Sequence, residues 1–145
     1  MSLHFKSVLI GSVVVGALVT ACGSDDEGLS ATQFRDQASA IICEGDQEIG
    51  AAMGQLFGGG EPTPEQMEDA LATIVSGSRG QADGIDALAA PSDIEADVDA
   101  LLAEWRSATA AAEAQGLGFF ESDDDPWALT TELAEGLGLE SCVNE

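Results

Sequence analysis

From Phe34 to Leu137 the apolar residues of this chain recur mostly three and four places apart, and no run alternates apolar with polar over the length of a strand. A helix brings positions i, i+3 and i+4 to one side, whereas a strand needs a period of two. The pattern therefore predicts an all-α fold, a small bundle of about four helices.

The first helix is expected to start at Thr32 as N-cap and to present Phe34, Ala38, Ile41, Ile42, Ile49, Met53 and Leu56 on its apolar side. Gly58-Gly59-Gly60 stops it, while Gly45 and Gly50 each weaken it by about 1 kcal/mol relative to Ala. Thr63-Pro64-Glu65-Gln66 announces the second: a Thr cap, Pro at the first helical position, and Gln three residues beyond the cap. Met67, Leu71, Ile74, Val75, Ile85 and Leu88 form its face, but Gly77, Gly80 and Gly84 interrupt it, so residues 64–88 read as one helix or two. Pro91 breaks the chain, and Ser92-Asp93-Ile94-Glu95 reads as another capping box. Ile94, Val98, Leu101, Leu102, Trp105, Ala108 and Ala112 then trace the third helix to a Gly116 cap. Residues 117–124 read as a loop. Asp125-Pro126 opens a fourth helix carrying Trp127, Leu129, Leu133 and Leu137, ended by Gly136 and Gly138.

The stretch ahead of these helices is of another kind. Lys6 is followed by twelve uncharged residues, Val8 to Val19, too few to span about 30 Å of hydrocarbon as a helix. A basic start, a short apolar middle and small residues at the end describe a cleaved secretory signal. Its last residues are Val19, Thr20 and Ala21, then Cys22, which resembles a lipobox, the processing site of bacterial lipoproteins. The resemblance implies diacylglycerol on the Cys22 sulfur and cleavage before it. An ordinary signal with an unlipidated cysteine and an uncleaved anchor are the alternatives. The division expected is a signal peptide over residues 1–21, a flexible acidic tether over 22–31 and a helical domain over 32–145. The place expected is the extracytoplasmic face of the cell membrane, with the membrane reached through covalent lipid.

Lys6 leaves with the signal, so Arg35, Arg79 and Arg106 face all 27 acids and the net charge becomes one unit more negative than the whole chain's −23. Such an excess of carboxylate excludes nucleic acid as a partner and electrostatic adhesion to anionic lipid. It is ascribed to genome composition or a salty habitat, with steering of a cationic ligand as the alternative. Cys43 and Cys142 remain once Cys22 is acylated. Outside the cytoplasm a disulfide is their expected state, clipping the last turn to the first helix; two reduced, buried thiols are the alternative. Closing a loop of about 100 residues is worth at most about 4.7 kcal/mol.

The chemistry on offer is narrow. The domain has no His, Lys or Tyr, the one His being His4 in the signal. A Ser-His-acid triad, a Schiff-base lysine and a His-ligated zinc are excluded by residue type. No catalytic residue is assigned, and only a carboxylate-only hydrolase survives as an enzymatic alternative. Glu121, Asp123, Asp125 and Glu132 fall at offsets 1, 3, 5 and 12 of a calcium loop, but Pro126 stands where that loop needs its turning glycine. They read as solvated acids with Asp125 capping the fourth helix, the alternative being a weak Ca²⁺ site. No other cofactor is expected. Trp105, Phe119, Phe120 and Trp127 read as core, with a shallow apolar pocket for a lipid or peptide as the alternative.

The segments QASAIICEG, LAAPSDIEADVDALLAEW and LAEGLGLESC together resemble a recurrent type of small actinobacterial lipoprotein. The resemblance implies the helical fold and the two-cysteine bridge, and no catalytic residue. The function expected is a lipid-anchored, non-enzymatic binding or interaction module for an unknown protein, peptide or small ligand. A cation-binding or envelope-stabilising acidic lipoprotein is the alternative.

Overall fold

The computed structural model describes residues 28–139, and within them four α-helices and one 3-10 helix follow one another with no strand. They are α1 (Ala31–Gly58), α2 (Pro64–Asp86), α3 (Glu95–Gln115), the 3-10 turn η1 (Gly116–Glu121) and α4 (Ala128–Leu137). The all-α bundle expected from periodicity is thus the fold. None of the described helices is long and apolar enough to cross a membrane.

α1 is capped by Ser30, not Thr32. The Ser30 hydroxyl accepts from the Gln33 backbone N–H at 3.3 Å, and the Gln33 side-chain oxygen accepts from the Ser30 N–H at 3.0 Å. This is the reciprocal capping box, and it needs Gln at the third position, which only Ser30 has. Leu29 packs against the core, so the folded part reaches into residues assigned above to the tether. At α2 the same box forms as expected, between Thr63 and Gln66 with Pro64 leading the helix. α2 runs unbroken from Pro64 to Asp86, which resolves the choice between one helix and two.

Its glycines explain themselves in the packing. A Cβ on Gly77 would meet Ile49 Cγ1 at 3.2 Å, and one on Gly84 would meet Ile41 Cγ2 at 3.1 Å. On α1, a Cβ at Gly45 would overlap the Gln81 side chain. The missing side chains let α1 and α2 close on each other. As α1 runs back from Ile49 to Ile41, α2 runs forward from Gly77 to Gly84, so the two are antiparallel.

α3 begins at Glu95 without a side-chain cap, and the box expected at Ser92 does not form. Pro91 and Ile94 close a turn instead, Ile94 N–H to Pro91 C=O at 3.0 Å, which leaves Ser92 three residues short of the helix. Glu95 and Asp97 in the first turn still face the positive end of the helix dipole. All seven residues expected on the α3 face are buried. Gly116 ends the helix at φ 57°, and the segment read as a loop continues as η1.

α3 lies antiparallel to α2, since Arg106 hydrogen-bonds Asp86 at 2.9 Å and reaches Asp83 at 3.5 Å, while Arg79 pairs with Glu113 further along. The Arg106 guanidinium pKa is raised, first by the hydrogen bond to Asp86 and then by the charges of Asp86 and Asp83. The core gathers Phe34, Ala38 and Ile42 of α1, Ala82 and Ile85 of α2, Val98, Leu101, Leu102 and Trp105 of α3, and Leu137 and Leu139 at the C-terminal end. Each large side chain so buried contributes about 1.5–3 kcal/mol.

Packing runs from α1 to α2, α2 to α3 and α3 to α4, and no comparable α4–α1 packing closes the ring. The two meet at one end, where Arg35 Nε donates to the Leu137 carbonyl at 2.7 Å. A cation there meets the negative pole of α4, and Gly138 beside it takes the left-handed conformation that ends the helix.

Candidate functional site

Because α4 stands off α1, a cleft of about 560 Å³ opens between them. α1 supplies one stripe to it, Ile42, Asp46, Ile49 and Met53, and α2 another, Ile74, Ser78 and Gln81. Trp105 of α3 and Phe119 of η1 join them, with Trp127, Thr130, Thr131, Ala134 and Glu135 on the α4 side and Leu139 at the end.

The wall formed by Trp105 and Ser78 is a closed hydrogen-bond circuit. Trp105 Nε1 donates to Ser78 Oγ at 2.8 Å, and Thr109 Oγ1 donates to the Trp105 carbonyl at 2.8 Å. Ser78 and Thr109 lie 2.7 Å apart. The Thr109 proton is already committed, so Ser78 must donate to Thr109. Indole, two hydroxyls and one carbonyl then satisfy one another without a spare proton. Gln81 is saturated on its donor side too: its Nε2 donates to the Ile42 carbonyl at 2.8 Å and to Asp46 Oδ1 at 3.0 Å.

The α4 wall differs. Trp127 Nε1 and Thr130 Oγ1 are buried atoms with no hydrogen-bond partner, and Thr130 as a residue is only 4% exposed. Buried polar groups in folded proteins are nearly always paired, so two orphans on one wall are unusual.

Of the four aromatics singled out from sequence, Trp105, Phe119 and Trp127 line the cleft and Phe120 does not. Phe120 instead braces Phe119 edge-on, with centroids 5.1 Å apart, and Phe119 meets Trp127 edge-on at 5.8 Å. Trp105 is also core, while the other three are half-buried. The polar groups Asp46, Ser78, Gln81 and Thr130 were not foreseen. The available signal was a polar residue at a buried register: Ser78 and Gln81 follow Ile74 at helical spacing, and Thr130 falls three after Trp127 and seven before Leu137.

Glu121, Asp123, Asp125 and Glu132 are all exposed, and among the described residues no three His, Cys, Asp or Glu gather as a metal shell. η1 ends at Glu121 while Glu132 lies inside α4, so the calcium-loop spacing does not become a loop. Asp125 Oδ1 accepts from the Trp127 N–H at 2.9 Å, capping the turn ahead of α4. Asp46 and Glu135 are the acids that line the cleft. Cys43 is half-buried on α1, while Cys22 and Cys142 lie outside the described residues.

The fold and cleft define, among the described residues, a helical bundle with a cavity between α1 and α4. Comparison with family models, with curated proteins and with solved structures found no match for this chain.

Proposed function

We propose that this chain is a lipid-anchored, extracytoplasmic binding module, without enzymatic activity, that holds a small molecule in the cleft between α1 and α4. The observation that carries this is the cleft itself. Its volume of about 560 Å³ falls within the ~300–1,000 Å³ usual for small-molecule sites, and it has their make-up of apolar and aromatic walls with a few polar groups. A carboxylate-only hydrolase has less support, since Asp46 holds the Gln81 amide and Glu135 is exposed.

The anchor rests on Cys22 behind its apolar run, and the bridge on Cys43 and Cys142. Ile42, next to Cys43, and Leu139 line the same cleft. Cys142 is three positions beyond Leu139, a reach of about 10 Å, which supports pairing with α1.

Nile red, a neutral apolar dye, tests the cleft. Its fluorescence is expected to rise with the native protein and not with Ala134→Trp, which fills the cleft from α4, provided that circular dichroism shows helicity retained. An equal rise with both proteins refutes the site. Mass spectrometry of the native N-terminus tests the anchor: a diacylglyceryl mass on Cys22 supports it, and a bare thiol there removes it.

A further inference from the structure

We infer that the cleft takes an organic cation with an apolar body, of the quaternary ammonium type. This rests on the binding function proposed above and specifies its ligand class.

The first ground is charge. Asp46 of α1 and Glu135 of α4 line the cleft from the two helices that flank it, and no Arg, Lys or His lines it. The three arginines of the described chain are held elsewhere: Arg35 by the Leu137 carbonyl, Arg79 by Glu113, Arg106 by Asp86 and Asp83. Asp46 commits Oδ1 to the Gln81 amide at 3.0 Å, while its Oδ2 accepts from no described group. Asp46 is also half-buried, so salt screens its charge less than that of a surface acid. An anion placed here would face two like charges and gain no cation.

The second ground is the rings. Phe119 and Trp127 both line the cleft and stand almost perpendicular, at 82° with centroids 5.8 Å apart. Together they make an aromatic corner. A ring face attracts a cation through its quadrupole, Trp most strongly, and asks no hydrogen bond of it.

The third ground is the state of the polar groups. The Trp105–Ser78–Thr109 circuit is complete and both Gln81 N–H bonds are taken. Trp127 Nε1 and Thr130 Oγ1 are buried atoms, sealed from the cleft. The Thr131 hydroxyl apart, the side chains that line the cleft therefore have no accessible donor left for a ligand. A quaternary ammonium neither donates nor accepts a hydrogen bond, so it leaves nothing unmet on entering.

The test is equilibrium dialysis of benzyltrimethylammonium and of neopentylbenzene, its neutral isostere with carbon in place of nitrogen, against the mature chain made without acyl groups. At about 150 mM NaCl, where long-range attraction to the acidic chain is largely screened, the cation is expected to bind about fivefold tighter. Asp46→Asn and Glu135→Gln should each weaken the cation about threefold and leave the isostere unchanged. Glu61→Gln removes the same charge from an exposed position outside the cleft and should change neither. Equal or tighter binding of the isostere to the native protein overturns the inference and leaves the binding function standing. So does an equal loss of cation affinity in Glu61→Gln and the two cleft variants, which would trace the attraction to the net charge of the chain. Failure of both probes to bind or to displace Nile red removes the binding function and the inference with it. If Asp46→Asn does not fold, Glu135→Gln, at an exposed position, decides.

Discussion

Gly45→Ala offers a test in which two physical arguments predict opposite signs. Intrinsic propensity alone favours alanine inside α1 by about 1 kcal/mol. The packing opposes it. A Cβ at position 45 overlaps Cγ and Cδ of Gln81, a buried side chain that cannot swing into solvent. To make room, the Gln81 amide must leave the Ile42 carbonyl and Asp46, two hydrogen bonds worth about 0.5–1.5 kcal/mol each. Residual overpacking adds about 1 kcal/mol or more. Set against the propensity gain, the net is a loss of about 2 kcal/mol. At about 4 °C per kcal/mol for a domain of this size, the Tm should fall by about 8 °C. Gly80→Ala is the control, because a Cβ at Gly80 meets nothing within 4 Å; its Tm should rise by about 3–4 °C. The assay is thermal and urea unfolding followed by circular dichroism, with an unchanged urea m-value as the check that only stability moved. In a Gln81→Ala background the obstacle is gone, so Gly45→Ala should become stabilising. If Gly45→Ala raises the Tm as Gly80→Ala does, the account of the α1–α2 seam is wrong.

Other outcomes follow from the same structure. Ser78→Ala strands the Trp105 N–H in the core and should cost about 1–3 kcal/mol by urea unfolding, with a smaller cost in a Trp105→Phe background; equal costs in both would break the proposed proton order. Arg35→Met should cost about 1–2 kcal/mol through the lost bond to Leu137, and Arg35→Lys should not restore it, because lysine has no N–H at the Nε position. Raising NaCl from about 10 mM to about 500 mM should raise the Tm by screening mutual repulsion of the carboxylates. Calcium at matched ionic strength should do no more, and a calcium-specific excess would support a cation site at Glu121, Asp123, Asp125 and Glu132.

Most of the bundle was legible because its faces are written at helical spacing and its start signals are local. Thr63, Pro64 and Gln66 define the start of α2 within four residues, and the α3 face was read correctly at all seven positions. The Ser30 cap was equally legible, since Gln33 pairs with Ser30 by the rule that identified Thr63; Thr32 has no such partner. Ser92 failed because a capping box is a necessary pattern without being a sufficient one. A turn at Pro91 competes for the same backbone, and sequence does not say which closes first. The cleft was the least legible part. Its aromatics are visible in sequence, but its volume comes from α4 packing on α3 and standing off α1, a matter of how elements meet. The orphaned atoms of Trp127 and Thr130 arise only once that arrangement exists.

All three arginines of the described chain sit inside helices, in α1, α2 and α3, and each is tied to a partner. Trypsin, which cuts only after basic residues, therefore has no target in any connecting segment between residues 28 and 139. A nick there requires the helix around it to unravel first, so the rate of tryptic digestion reports how often this bundle opens rather than how mobile its surface is.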